Sequence, residues 1–202
     1  MELHEAIRRR AMVRNFSTDP VDRAVIDRIV RAALRSPTAG NTRGTAWVVL
    51  EGADQTSAYW AATTDDDWRN EHAEWAAGLM GAPVVALAYT SPEAYVARYA
   101  EPDKADPLLG AQVDHWPIPY WYGDAAFGVM SMLLGAVDAG LGACVLGNFR
   151  GETELARSLG VPPPWRLFGT VVLGWPLTPT RQSRSLDRDT PAVSARIHRG
   201  SW

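Results

Sequence analysis

Apolar positions along this chain switch between two periods, and the switches mark its elements. Leu3 to Arg9 reads as a short helix. Behind Asp22, a natural cap, Ile26, Ile29, Val30 and Ala33 recur at helical spacing while Arg23, Asp27, Arg28 and Arg31 fill the opposite face, which predicts an amphipathic helix. Ala46 to Leu50, and Val84 to Tyr89 after Pro83, are short apolar runs of the length of buried strands. Between them Ala53 to Gly81, rich in tryptophan, acid and alanine, predicts one or two helices with a loop. Glu101 to Gly123 carries four prolines and the run Trp116-Pro117-Ile118-Pro119-Tyr120-Trp121-Tyr122, a proline spacing that excludes a regular helix. Asp124 to Ala139 is apolar on almost every side, with Gly128, Ser131, Gly135 and Ala136 among Phe127, Met130, Leu133, Leu134 and Val137. That pattern predicts a buried helix whose small residues admit a close neighbour. A strand at Ala143 to Leu146, a helix at Glu152 to Leu159 and a strand at Leu167 to Leu173 follow. The tail from Thr178 to Trp202 is polar and arginine-rich; it reads either as a solvated tail or as a segment that docks elsewhere.

Composition narrows the class without naming a chemistry. The chain has 202 residues, is 47% hydrophobic and carries a net charge of -3, which describes one globular domain large enough to bury a substantial core. Its mild acidity argues against nucleic acid as the main partner. Cys144 is the only cysteine, so no intramolecular disulfide forms and redox chemistry requires a cofactor. It sits in an apolar run and is expected in the core. No apolar stretch reaches the roughly 18 residues of a membrane span, and Met1 to Arg10 has no signal-peptide core, so the expected location is cytoplasmic.

Two segments carry candidate chemistry. Arg8-Arg9-Arg10-Ala11-Met12-Val13-Arg14-Asn15-Phe16 gathers guanidinium groups, whose planar forks suit a phosphate or another multi-oxygen anion. Ser36-Pro37-Thr38-Ala39-Gly40-Asn41-Thr42-Arg43-Gly44 is a polar loop of turn formers leading into an apolar strand; such loops set backbone N–H groups and short side chains against flat polar ligands. Taken singly, the first is most often a solvated helix face and the second a turn. Their order, with an amphipathic helix between them, suggests a nucleotide-like cofactor.

At these residues the sequence resembles the nitroreductase family of flavin enzymes. The resemblance runs over nearly the whole chain. It rests on Arg10 to Phe16 followed by Asp19-Pro20-Val21, on Pro37 to Gly44 before Trp47-Val48-Val49-Leu50, on Gly140-Leu141-Gly142, and on Leu173-Gly174-Trp175-Pro176. It implies an α+β chain with a three-layer α/β/α fold around a central, mostly antiparallel sheet. It also implies an interlocked homodimer that binds FMN at the subunit interface and transfers electrons from NADH or NADPH to electron-poor small molecules. Carried over by position, Arg10, Ala11, Met12 and Arg14 fall where the family holds the phosphate and ribityl side of the flavin. Pro37, Thr38, Ala39, Asn41 and Arg43 fall in the loop that lies on the ring, in the family usually supplied by the partner. Family members often supply a late basic residue to the phosphate, for which Arg184 or Arg188 is the candidate; Leu146 and Gly147 are further candidate cofactor contacts, with Asn148 and Phe149, just after the Gly147 turn, as candidates to reach the flavin edge. Trp116, Tyr120 and Trp121 are the candidate substrate pocket, with sealing of the core as their other reading. The chain departs from the family's usual pattern at Ala11 and Met12, where a basic residue and a serine are common, and at Arg43, where glutamine is common.

Other chemistries find less support. Gly140-Leu141-Gly142-Ala143-Cys144-Val145 begins like a dinucleotide fingerprint but has valine at the third glycine position. His4, His72, His115 and His198 do not pair at metal-ligand spacing, and no metal is expected. The leading expectation is therefore ping-pong hydride transfer through flavin N5 to a nitroaromatic or quinone, with no protein nucleophile and with positive charge near the ring stabilising the reduced flavin. The alternatives are a non-catalytic flavin or deazaflavin binder, or the same fold turned to dehalogenation, dehydrogenation or flavin breakdown. A nucleic-acid binder using the terminal arginines is a weaker third class.

Overall fold

Strand β2 (Val84–Thr90) is buried along its whole length, and its period-2 alternation organises the molecule. Val84, Ala86 and Ala88 face one apolar cluster while Val85, Leu87 and Tyr89 face another, so helices cover both sides of the sheet. The computed structural model describes residues 1–178 and 188–202. Its sheet has the order β1-β2-β4-β3, with β1 at Thr45–Glu51, β3 at Gly142–Leu146 and β4 at Arg166–Gly174. All three pairings are antiparallel.

One face is covered by α2 (Arg23–Leu34) and α7 (Tyr120–Asp138), which bring Ile26, Ile29, Ala33, Val129, Met132, Leu133 and Ala136 against the sheet. Asp22 caps α2 as its sequence suggests, accepting from the Ala24 N–H at 2.7 Å. The other face is covered by α3 (Gly52–Thr63), α5 (Ala73–Met80) and α8 (Glu152–Ser158), with Tyr59, Trp60, Leu79 and Leu155 buried. A short α1 (Leu3–Arg9), α4 (Asp66–Glu71) and α6 (Pro92–Tyr99) complete the set. The result is the expected α+β architecture in three layers.

Three local readings are corrected. The segment 53–81 forms three helices, because Asp65 accepts from Trp68 N–H and restarts the helix after Thr64. Helix α6 lies where no element was expected; Ser91 caps it and Pro92 opens it. Helix α7 begins at Tyr120, four residues before the predicted Asp124, because Pro119 occupies the position before the first turn, where a missing N–H costs nothing. Nor is α7 buried all round in this single chain, since Phe127 and Met130 are 52% and 39% exposed. No helix among the described residues is long and apolar enough to cross a membrane.

Candidate functional site

The arginine segment is fixed along the free edge of β3. Met12 bridges Ala143 in parallel fashion, Val13 N–H donates to the Ala143 carbonyl at 2.9 Å, and Phe16 bridges Pro176. Val13 and Phe16 are buried. With those two apolar anchors inside, Arg10 and Arg14 are left half-buried on either side of Met12. Gly142 permits this contact, because a β-carbon there would stand 2.9 Å from the Val13 side chain. Arg14 donates to the Met12 carbonyl at 3.2 Å. Neither Arg10 nor Arg14 pairs with a carboxylate among the described residues, whereas Arg8, Arg23, Arg69, Arg98 and Arg150 each do. A half-buried guanidinium with free donors is a ready anion site. Arg14 also lies near Cys144: burial pushes that thiol up, and the guanidinium opposes the shift.

The loop before β1 is built by hydrogen bonds from three elements. Ala39 N–H donates to Asp124 on α7 at 2.7 Å, the Arg98 guanidinium on α6 donates to the Gly40 carbonyl at 2.8 Å, and Thr90 on β2 donates to the Gly44 carbonyl at 3.0 Å. Within the loop, Arg43 N–H donates to Thr38 Oγ1 at 3.0 Å. Gly40, Asn41 and Arg43 all have positive φ, at 65°, 54° and 55°. Glycine adopts this region freely, but Asn41 and Arg43 are held there by the surrounding bonds. Pro37, Asn41 and Arg43 are exposed, and Thr38 and Ala39 partly so.

Beyond β3, Leu146 and Gly147 open onto a cavity of about 470 Å³ walled by Tyr59, Trp60, Thr63, Thr64, Trp68, Trp75 and residues 145–150. Its floor is polar. Asn148 donates to the Tyr59 hydroxyl at 3.1 Å and accepts from Thr170 at 2.8 Å. Burial raises the Tyr59 hydroxyl above its ordinary range, and its hydrogen bonds to Thr170, Asn148 and Thr63 pull the other way. The indole N–H of Trp60, a residue 3% exposed, has no acceptor among the described residues. Phe149 is almost wholly exposed at the rim.

The expected residues thus fall into separate groups. Arg10, Ala11, Met12 and Arg14 lie along the β3 edge near Ala143, with Leu146 and Gly147 at the far end of that strand, while Pro37, Thr38, Ala39, Asn41 and Arg43 lie at the β1 edge, just before Thr45. The strand order leaves three interstrand spacings between the edges, about 14 Å. Trp116 and Trp121 are 8% and 4% exposed and pack edge-on with Tyr95, sealing a corner of the core; Tyr120 is 44% exposed. Arg188 is exposed, and Arg184 lies outside the described residues. Sequence reasoning missed Tyr59, Trp60, Trp68 and Trp75 as cavity walls. The signal was the tryptophan density of 53–81, which a helix reading had absorbed. It also missed Asp124, Tyr95 and Arg98 as loop anchors, for which spacing gives no cue.

Comparison with known proteins bears on this arrangement. The sequence model of the nitroreductase family matches residues 7–175. Among solved structures, the chain is similar to the nitroreductase CinD of Lactococcus lactis in complex with nicotinic acid, at 19% identity and a TM-score of 0.73 over 95% of this chain and 100% of that one. It is similar to a candidate nitroreductase of Desulfovibrio desulfuricans in complex with FMN, at 20% identity and a TM-score of 0.70 over 100% and 98%. A candidate NADH oxidase of Clostridium acetobutylicum shares 20% identity and a TM-score of 0.67 over 98% and 99%. Identities this low establish a shared fold.

Proposed function

Since the chain belongs to the nitroreductase family, we propose that it is an FMN-dependent oxidoreductase that passes hydride from NADH or NADPH to an electron-poor acceptor such as a nitroaromatic or a quinone. The observation that carries this reading is the pair of half-buried guanidinium groups, Arg10 and Arg14, without carboxylate partners among the described residues and fixed beside the start of β3 at Ala143. Two planar forks that keep donors to spare among the described residues fit a phosphate ester. The backbone from Ala11 to Met12 joins them, and Arg188 or Arg184 is the candidate for a third contact.

The loop at Pro37–Arg43 fits a flat heteroaromatic ring, with its positive-φ turn presenting exposed Asn41 and Arg43. It stands on the opposite sheet edge from Arg10 and Arg14, so it meets their ligand only as the contribution of a second copy. Phe127 and Met130, exposed on α7, supply apolar surface for that contact. The functional unit is accordingly a homodimer with a shared site at each end of its interface.

When bound, FMN supplies the two-electron acceptor and donor that this chain's side chains lack. The residues present bind and orient. Arg43, exposed on the loop, would contribute positive charge where the ring would be held, a setting that would favour electron uptake by the bound flavin. The cavity at Leu146–Arg150, with Trp68 and Trp75 as walls and the Asn148 amide as a donor, suits a planar acceptor bearing oxygen atoms. One cavity serving donor and acceptor in turn gives ping-pong kinetics.

An anaerobic absorbance titration tests the reading. The purified protein, loaded with FMN, is expected to bleach with NADH or NADPH and to recover its flavin bands when a nitroaromatic or quinone is added. A protein that takes up no FMN overturns the assignment, and a flavin indifferent to both donors favours the non-catalytic binder.

A further inference from the structure

Asp124 stands in the second turn of α7 and is 4% exposed, yet no arginine or lysine among the described residues pairs with it. One oxygen, Oδ2, accepts two hydrogen bonds: from the Ala39 N–H and from the Tyr95 hydroxyl, each at 2.7 Å. Tyr95 is fully buried, and burial, then the neighbouring carboxylate, hold its hydroxyl far above the ordinary tyrosine range, so it remains a donor. Placing a carboxylate inside a protein with two donors and no cation is costly. The Ala39 N–H leads directly into Gly40 and Asn41, the start of the positive-φ turn. A charge-assisted bond, stronger than a neutral one, pins the loop where its backbone is least willing to stay.

We propose that Asp124 is a positioning residue: through Ala39, and braced by Tyr95, it holds the Pro37–Arg43 loop in the conformation that receives the flavin. The proposal rests on the FMN reading above and adds to it a determinant that touches the loop from behind. Gly44 supports the same geometry, since a β-carbon there would come within 2.6 Å of the Tyr95 ring. Loop and ring therefore pack directly, and the Tyr95–Asp124 pair transmits the position of α7 to the loop.

The test uses the full chain and compares Asp124→Asn, Tyr95→Phe, Asn41→Ala and the double variant Asp124→Asn/Asn41→Ala. Asp124→Asn keeps shape and one acceptor oxygen but removes charge; Tyr95→Phe keeps the ring and removes one donor, and is the milder change should the first fold poorly. FMN affinity is read by fluorescence titration, and folding by the melting temperature of the FMN-free protein. Asp124→Asn and Tyr95→Phe are each expected to weaken FMN binding about tenfold. Asn41→Ala is expected to cost much less in the Asp124→Asn background than alone, because the loop is already released. A purely structural role predicts a lowered melting temperature with unchanged FMN affinity, or fully additive losses in the double variant; either overturns the proposal. If the parent protein binds no FMN, the functional reading falls by itself. Amide exchange at 39–43 then decides the inference: faster exchange in Asp124→Asn supports it, and unchanged exchange overturns it.

Discussion

Gly78 on α5 lies so close to Arg14 that a β-carbon at position 78 would stand 2.3 Å from the Arg14 carbonyl oxygen. The Phe16 N–H also donates to the Gly78 carbonyl at 3.2 Å. A helix on one face of the sheet thereby sets the height of the arginine segment. Helix propensity alone predicts that Gly78→Ala stabilises by about 1 kcal/mol. The clash with backbone reverses that sign: we expect a loss of about 1–3 kcal/mol in urea denaturation and weaker FMN binding, because Arg14 cannot stay in place. A variant as stable as the parent would show that the segment yields freely.

Arg10→Ala separates phosphate recognition from ring recognition. Removing a charged partner of a phosphate is expected to cost about 1.5–3 kcal/mol, roughly 10- to 100-fold in affinity. The loss should appear with FMN and nearly vanish with riboflavin, which carries no phosphate. Parallel titrations with the two flavins check this; equal losses would move Arg10 away from the phosphate.

Tyr89 offers a pH signature. It is 2% exposed on β2, and its hydroxyl has no hydrogen-bond partner among the described residues. Burial, then the charges of Glu152 and Tyr59, push it up to about 12 from an ordinary 10.0. Because the folded value exceeds the unfolded one, the stability linked to this group is complete below pH 10 and is lost as pH rises from about 10 to about 12. Tyr89→Phe should leave stability at pH 7 unchanged or raise it by up to about 1 kcal/mol, since an unpaired buried hydroxyl is removed. At pH 11 the variant should outlast the parent. Tyr59 and Tyr95 are raised as well, so alkaline loss is reduced and not abolished. Denaturant titrations at the two pH values provide the comparison.

The elements that were legible in the sequence are those whose pattern is local. Asp22 announces α2, and the valine-rich run after Pro83 announces β2, because capping and strand burial depend on near neighbours. The start of α7 was misread because the prolines at 117 and 119 end an irregular stretch and also permit a helix to begin at once. The split of 53–81 into three helices turns on the Asp65 cap, one side chain in an acidic run. At the site, Arg10, Arg14 and the Pro37–Arg43 loop were visible as motifs. Their placement on opposite sheet edges was not, because strand order is a property of long-range pairing. Asp124 was counted only as the first residue of an apolar helix, since nothing near it in sequence hints at Ala39 or Tyr95.

That separation of edges yields the last prediction. Phe127 lies 52% exposed on α7, one helical turn from Met130 and on the helix that also anchors Ala39 through Asp124. A charge at this position leaves the single-chain core intact, because the side chain is not part of it, but it must be desolvated if two copies meet there. Phe127→Glu is therefore expected to keep its melting transition in the FMN-free state at high dilution. The parent is expected to sediment as a dimer and the variant as a monomer, with FMN affinity lower by about tenfold or more, since the Arg10–Arg14 edge would no longer meet a partner's loop. Sedimentation velocity and flavin titration on the same samples make the test. A monomeric variant with parental FMN affinity would mean that one chain builds the site alone, in spite of the roughly 14 Å between its edges.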